Sequence, residues 1–157
     1  MRIAYAEIIT VSVGGFDISR TVGMYHALSY DRDQQSQTLE ENLSYFAERY
    51  DSILKEIRYL AHSDKVIIRA LDVHIPDVKK LQDWDVYPQS KRLWRRFNTL
   101  LTQIALKNGV KVAKVSRAMN GLWATDPVEK GYLTDPDHLS DDGARLVATT
   151  LRELGYR

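Results

Sequence analysis

The chain has 157 residues, 44% of them hydrophobic and 27% charged, with a formal net charge of +1. That length suits one domain with a real core, and the near balance of charge leaves no broad basic field to hold a phosphate backbone. Cysteine is absent, which excludes disulfides, thiolate metal sites and a cysteine nucleophile.

No apolar run approaches the roughly 20 residues needed to span a bilayer, and the first seven residues lack the apolar stretch of a signal peptide. A cytoplasmic setting is the default expectation, which a leader outside this sequence would change. Ile8-Ile9-Thr10-Val11-Ser12-Val13 is short, β-branched and followed by Gly14-Gly15, so residues 8–13 read as a buried strand ending at a glycine turn. Its nearly continuous apolar character fits a parallel sheet covered on both faces. Residues 18–37 show no period and read as a loop. From Thr38 to about Leu60, the residues Leu39, Leu43, Phe46, Tyr50, Ile53, Ile57 and Leu60 recur at spacings of three and four, one face of an amphipathic helix. Thr38 followed by Glu41 suggests a capping box at its start.

Residues 65–71, with Val66-Ile67-Ile68, read as a second buried strand. Residues 72–90 contain Pro76, Trp84, Tyr87 and Pro88 and read as a long loop of the kind that carries function. A second amphipathic helix is expected over 91–108, stopped by Asn108-Gly109, and a third strand over 110–115, whose alternation suits an edge. In the last helix Ser140 is the expected N-cap, Asp141 and Asp142 complement the helix dipole, and Ala144, Val147, Ala148 and Leu151 make the apolar stripe. Strands alternating with helices define an α/β fold with a parallel sheet. With no repeat or linker in view, residues 1–157 read as one domain.

In open parallel sheets chemistry collects at the carboxyl ends of the strands. Two segments fall there, Gly14-Gly15-Phe16-Asp17 and Asp135-Pro136-Asp137-His138-Leu139-Ser140. A histidine acting as general base needs a carboxylate on its other ring nitrogen to fix the tautomer and stabilise the imidazolium. Asp135 and His138, three apart in a turn, can meet without help from a distant element; Asp137 is a competing carboxylate. The plainer alternative is a turn and helix cap. Of the other histidines, His26 and His62 stand alone, and His74 lies with Asp72 and Asp77 in what reads as a solvated loop rather than a metal site. Trp84, Tyr87, Trp94 and Trp123 suit either an acyl or sugar pocket or ordinary packing. The basic cluster Lys91-Arg92 with Arg95-Arg96 reads as a solvated helix face, not a nucleic-acid site. No cofactor or metal is expected.

Residues 131–143, Gly-Tyr-Leu-Thr-Asp-Pro-Asp-His-Leu-Ser-Asp-Asp-Gly, resemble the last block of the SGNH (GDSL-type) hydrolases. Residues 9–18, running through Gly14-Gly15-Phe16-Asp17, resemble that family's third block, a strand ending in Gly-x-Asn-Asp, and residues 98–115 resemble the segment between the two blocks. The resemblance implies a flavodoxin-like three-layer sandwich with a five-stranded parallel sheet, and metal-free hydrolysis of esters, thioesters or acetylated sugars. It implies His138 as base, Asp135 as its orienting partner and Gly14 to Asp17 as the oxyanion and substrate region. The chain departs from the pattern in three ways. It contains no Gly-Asp-Ser block and hence no recognisable nucleophile, it has no clear match to the second block's glycine, and Phe16 stands where the family has an asparagine. Ser12, Ser19, Ser116 and Ser140 offer no nucleophile elbow.

The expectation is therefore an SGNH-type fold missing its first strand or two, and an ester hydrolase that is weak or inactive as this chain alone. The serine block would lie upstream, be lost in a non-catalytic ligand-binding or protein-interaction relative, or come from a second chain. Residues 8–13 would then present an unpaired apolar edge, and such edges seek a homodimer partner or a complementing chain.

Overall fold

The computed structural model describes residues 5–61, 65–123, 126, 128, 131–135 and 138–155. Three short strands, β1 (Ile8–Val11), β2 (Ile67–Leu71) and β3 (Lys111–Ala113), form a parallel sheet in the order β1-β2-β3. Ile8 pairs with Ile67 and Val11 with Ala70 on one side of β2; Arg69 pairs with Lys111 and Leu71 with Ala113 on the other. The central strand is the most buried, with Ile68, Arg69 and Ala70 all enclosed.

Alternation along the strands sends side chains to two layers. Val11, Ile68, Ala70 and Val112 point into the larger core. There they meet α1 (Gly15–Ala27), α2 (Arg32–Leu60) and α4 (Tyr87–Lys107) through Ile18, Leu43, Phe46, Leu54, Phe97 and Leu101. Phe46 stacks on Tyr50 at 5.4 Å between ring centres and tilts against Phe97 at 4.3 Å. On the opposite face Leu71 and Ala113 meet Leu146, Val147 and Leu151 of α6 (Asp141–Arg152), beside α5 (Val115–Asn120). Helices on both faces of a parallel sheet make a flavodoxin-like α/β sandwich.

Several elements differ from the sequence expectation. Residues 18–37 are not a loop: α1 fills the first half of them, burying Ile18, Thr21 and Val22, and α2 takes up residues 32–37. The period of α1 is disguised by Gly23 inside the helix and by Phe16, which is 80% exposed. Helix α2 starts at Arg32, not Thr38. Asp31 caps it by accepting from the N–H groups of Asp33 and Gln34, and the added turn and a half lies in polar residues that carry no hydrophobic period. Glu41 closes no capping box; its carboxylate accepts from Gln37 one turn back. The buried stripe runs through Leu54 while Ile53 is exposed, because a straight helix drifts off a strict three-four count.

Residues 72–90 are not one long loop. Asp77 caps a short helix, α3 (Val78–Asp83), and α4 begins at Tyr87, with Pro88 in its first turn. Strands one and three are shorter than expected, ending at Val11 and Ala113. In α6, Ala144 and Ala148 are exposed, and the inward face is Gly143, Leu146, Val147, Thr150 and Leu151. None of the described helices is long and apolar enough to cross a membrane.

The Tyr50 hydroxyl sits inside the core with no hydrogen-bond partner among the described residues, and burial pushes its pKa up to about 12. Tyr50→Phe removes this unsatisfied group without opening a cavity. The variant is expected to be more stable by about 1 kcal/mol, and an unchanged or lower midpoint in urea would contradict the enclosed, unpaired hydroxyl.

Candidate functional site

Asp135 and His138 are held by a small antiparallel hairpin, β4 (Leu133–Asp135) with β5 (His138–Leu139), in which the two residues are cross-strand partners. Pro136 and Asp137 lie outside the described residues. His138 Nδ1 is 2.8 Å from Asp135 Oδ1 and 2.9 Å from Oδ2, and the His138 main-chain N–H also donates to Oδ1 at 3.0 Å. The carboxylate thus fixes both the ring and its backbone. With the carboxylate on Nδ1, that nitrogen carries the proton and Nε2 has the basic lone pair. Both side chains are more than half exposed, His138 at 76% and Asp135 at 51%, so a substrate can reach them.

The hairpin is locked onto α6. Ser140 accepts from the Gly143 N–H as the expected N-cap while its own hydroxyl donates to the Gly131 carbonyl, and its N–H donates to Tyr132 O. A Cβ on Gly143 would lie 2.0 Å from Tyr132 O, so only glycine lets the first turn of α6 approach the hairpin this closely.

Gly14 to Asp17 belong to the β1–α1 connection. Gly14 has φ +102°, and a Cβ there would sit 2.9 Å from the Phe97 ring. Gly15, Phe16 and Asp17 form the first turn of α1, which has no side-chain cap. Any hydrogen-bond donor this region offers to an oxyanion is therefore main-chain, because Phe16 projects into solvent with no donor of its own.

No described serine hydroxyl bonds His138. Ser12 lies just past β1 rather than inside it and is exposed; Ser19 is exposed on α1. Ser116 donates to Asp72 Oδ2 at 2.8 Å, and its N–H donates to Oδ1. His26 does not stand alone: its Nε2 is 2.9 Å from Ser90 Oγ. Ser90 is buried and donates to Val86 O, so it accepts from the half-buried His26, and this pair holds α1 against α4 instead of forming a nucleophile. His62 lies outside the described residues.

The loop after β2 is not solvated as the sequence suggested. Asp72 turns to Ser116 and Asp77 caps α3, so neither carboxylate joins His74 in a metal cluster. Two asparagines missed in the sequence hold this loop. Asn98 accepts from the Val73 N–H at 2.9 Å and donates to Val73 O at 2.8 Å. Fully buried Asn120 does the same for Ile75, at 2.7 and 2.9 Å, and also donates to Asp126 O. Their signal was weak: asparagine inside a helix is unfavourable and hints at a side-chain task, but it does not name the partner. Trp94, read as pocket or packing, is buried and donates to His74 O; Trp84 and Trp123 are exposed at 62% and 63%.

His74 Nε2 is enclosed without a hydrogen-bond partner among the described residues, and burial holds its pKa below the ordinary 6.5. The folded chain therefore binds fewer protons than the unfolded chain as pH falls through about 6.5, and stability present above that pH is lost below it. Burial lowers His26 in the same direction. Asp72 acts oppositely at lower pH: burial raises its carboxyl despite the Ser116 bonds and Lys114, so its ionisation in the fold costs stability as pH rises through the carboxylate range. His74→Gln cannot take up a proton, and its stability is expected to fall less than wild type between about pH 7 and about pH 5. Parallel curves for the two proteins would contradict a buried neutral His74.

No family model matches the sequence, and no curated protein does either. Among solved structures the chain is similar to the lipase Lip_vut3 from a goat rumen metagenome, with 22% identity and a TM-score of 0.72. The likeness covers 98% of this chain and 66% of that one, so the chain spans just under two thirds of that lipase's length. At this identity the likeness shows a shared fold, the α/β architecture described above.

Proposed function

We propose that the chain is an SGNH-type ester hydrolase domain in which His138 is the general base and Asp135 its orienting partner. The observation that carries this is the Asp135–His138 contact, which presents Nε2 of an exposed imidazole as a base. The lipase fold of the similar structure and the order of the two resembling blocks support it. In hydrolysis, Nε2 takes the proton of an attacking hydroxyl or water as its oxygen bonds to the ester carbonyl carbon. The imidazolium then returns that proton to the departing alkoxide as the C–O bond breaks. Attack by water leaves alcohol and carboxylic acid directly, whereas attack by a hydroxyl leaves alcohol and an acyl ester that water then hydrolyses to the acid by the same steps. The region Gly14 to Asp17 would offer main-chain N–H groups to the oxyanion; loss of an asparagine amide at Phe16 costs on the order of 10²–10³ in rate.

The nucleophile is unassigned, so the chain alone is expected to act slowly, with the imidazole activating water. Purified protein should hydrolyse a short-chain nitrophenyl ester, and His138→Ala should lower the rate to that of the unfolded chain. Equal rates in both would overturn His138 as the base; no activity in either, from folded protein, would mean a chain that lacks its serine block or a non-catalytic binding relative, the reading that Phe16 favours.

The same proposal treats residues 1–157 as one domain whose β1 edge accepts a further strand. Among the described residues β1 is an edge, with Ile8 47% exposed and Thr10 exposed. Beneath it a cavity of about 430 Å³ lies between Ile8, Thr10, Arg69 and the exposed Ala148 of α6. A second copy or a complementing chain would pair here. Light scattering is expected to show association that Ile8→Lys weakens; a clean monomer at high concentration would contradict pairing with a second copy.

A further inference from the structure

Beyond the carboxyl ends of β2 and β3 lies a cavity of about 460 Å³ that the proposed chemistry leaves unused; neither Asp135 nor His138 lines it. Crevices at this end of a parallel sheet are where open α/β folds bind ligands. Its floor is Val73 and Ile75, whose peptide groups Asn98 and Asn120 clamp, so the groove is built before any ligand arrives. Helix α4 supplies Arg95 on one wall, and α5 supplies Arg117 on the other.

Three features define what would fit. First, neither Arg95 nor Arg117 has an ion-pair partner among the described residues. Second, the described lining contains no acidic residue. Lys114, also on the wall, donates to Thr102 and lies 3.8 Å from the Asp72 carboxylate, whose charge it balances. The two guanidinium groups thus have no carboxylate partner among the described residues. Third, Leu122 and Trp123 on the rim are 59% and 63% exposed, a large apolar surface for side chains of that size.

We propose that this groove binds an amphipathic organic anion. Its carboxylate or phosphate monoester end pairs with Arg95 and Arg117, and its apolar body lies on Leu122 and Trp123. Guanidinium forks suit both oxyanions, and an exposed aromatic beside a cation suits an apolar chain carrying a charge. The site stands whether or not the chain hydrolyses esters.

Titration calorimetry of the full chain with decanoate, decyl phosphate, decanol and inorganic phosphate, below micellar concentrations, tests this. Decanoate or decyl phosphate is expected to bind about tenfold or more tightly than decanol. The tighter of the two names the head group. Arg95→Glu/Arg117→Glu should weaken the anion by about tenfold or more and leave decanol unchanged; Trp123→Ala should weaken all the alkyl ligands. Both arginines are exposed, so circular dichroism should show an intact fold in the charge-reversed variant. Equal binding of decanol and decanoate, charge reversal without effect, or inorganic phosphate binding as tightly as decyl phosphate would each overturn the proposal.

Discussion

Asn120→Ala is expected to destabilise the fold by about 3–5 kcal/mol. The side chain is fully buried and makes three hydrogen bonds, to Ile75 N–H, Ile75 O and Asp126 O. Alanine would strand a donor and an acceptor of Ile75, itself 1% exposed, where water has little access. Each orphaned buried polar group costs about 1–3 kcal/mol, and the lost side-chain volume adds a cavity term. Asn98 makes the same two bonds to Val73 but is only partly buried, so Asn98→Ala should cost distinctly less. Urea unfolding of both variants checks this. An Asn120→Ala loss below about 1 kcal/mol, or one no larger than that of Asn98→Ala, would mean the clamp is not what fixes the loop.

Phe97→Ala is the second large effect, expected at about 3–5 kcal/mol. Phe97 is 1% exposed, packs 4.3 Å from Phe46, and closes over Gly14 at the exit of β1. The Gly14 contact gives a sharper form of the same test. Gly14→Ala alone suffers twice: a left-handed φ of +102° and a Cβ 2.9 Å from the Phe97 ring. Removing the ring removes the clash and leaves the backbone term, about 1–2 kcal/mol. The double variant should therefore be more stable than the sum of the single losses implies, by about 1 kcal/mol or more. Strict additivity would show that the ring does not press on the turn.

What the sequence disclosed follows from the physics of each segment. Strands β1 and β2 were legible as short, nearly continuous β-branched runs, although β1 is exposed at Ile8 and Thr10 rather than buried as expected, because it lies at the edge of the sheet. The cores of α2 and α4 were legible because their apolar residues recur with the helical period. Helix α1 was hidden because it buries only one narrow stripe, carries Gly23 inside and exposes Phe16. The polar start of α2 shows no period at all, and its cap, Asp31, is recognisable only once the helix is known. Residues 72–90 misled because their prolines and charges read as loop, while Pro88 sits where a helix tolerates it.

The candidate site divides in the same way. Asp135 and His138 are three residues apart, so their meeting is a local matter that spacing can express. Asn98 and Asn120 act on peptide groups 25 and 45 residues away, and no local pattern encodes such contacts. Nor does it encode the groove between α4 and α5, whose Arg95 looked like part of a solvated cluster.

The central claim is that Asp135 and His138 act as one catalytic unit. The most direct test is a kinetic cycle on a nitrophenyl ester with wild type, Asp135→Asn, His138→Ala and the double variant. If the carboxylate works only through the imidazole, Asp135→Asn lowers the rate, and the double variant is no slower than His138→Ala. A silent Asp135→Asn, or losses that multiply in the double variant, would contradict the pair as the seat of the chemistry.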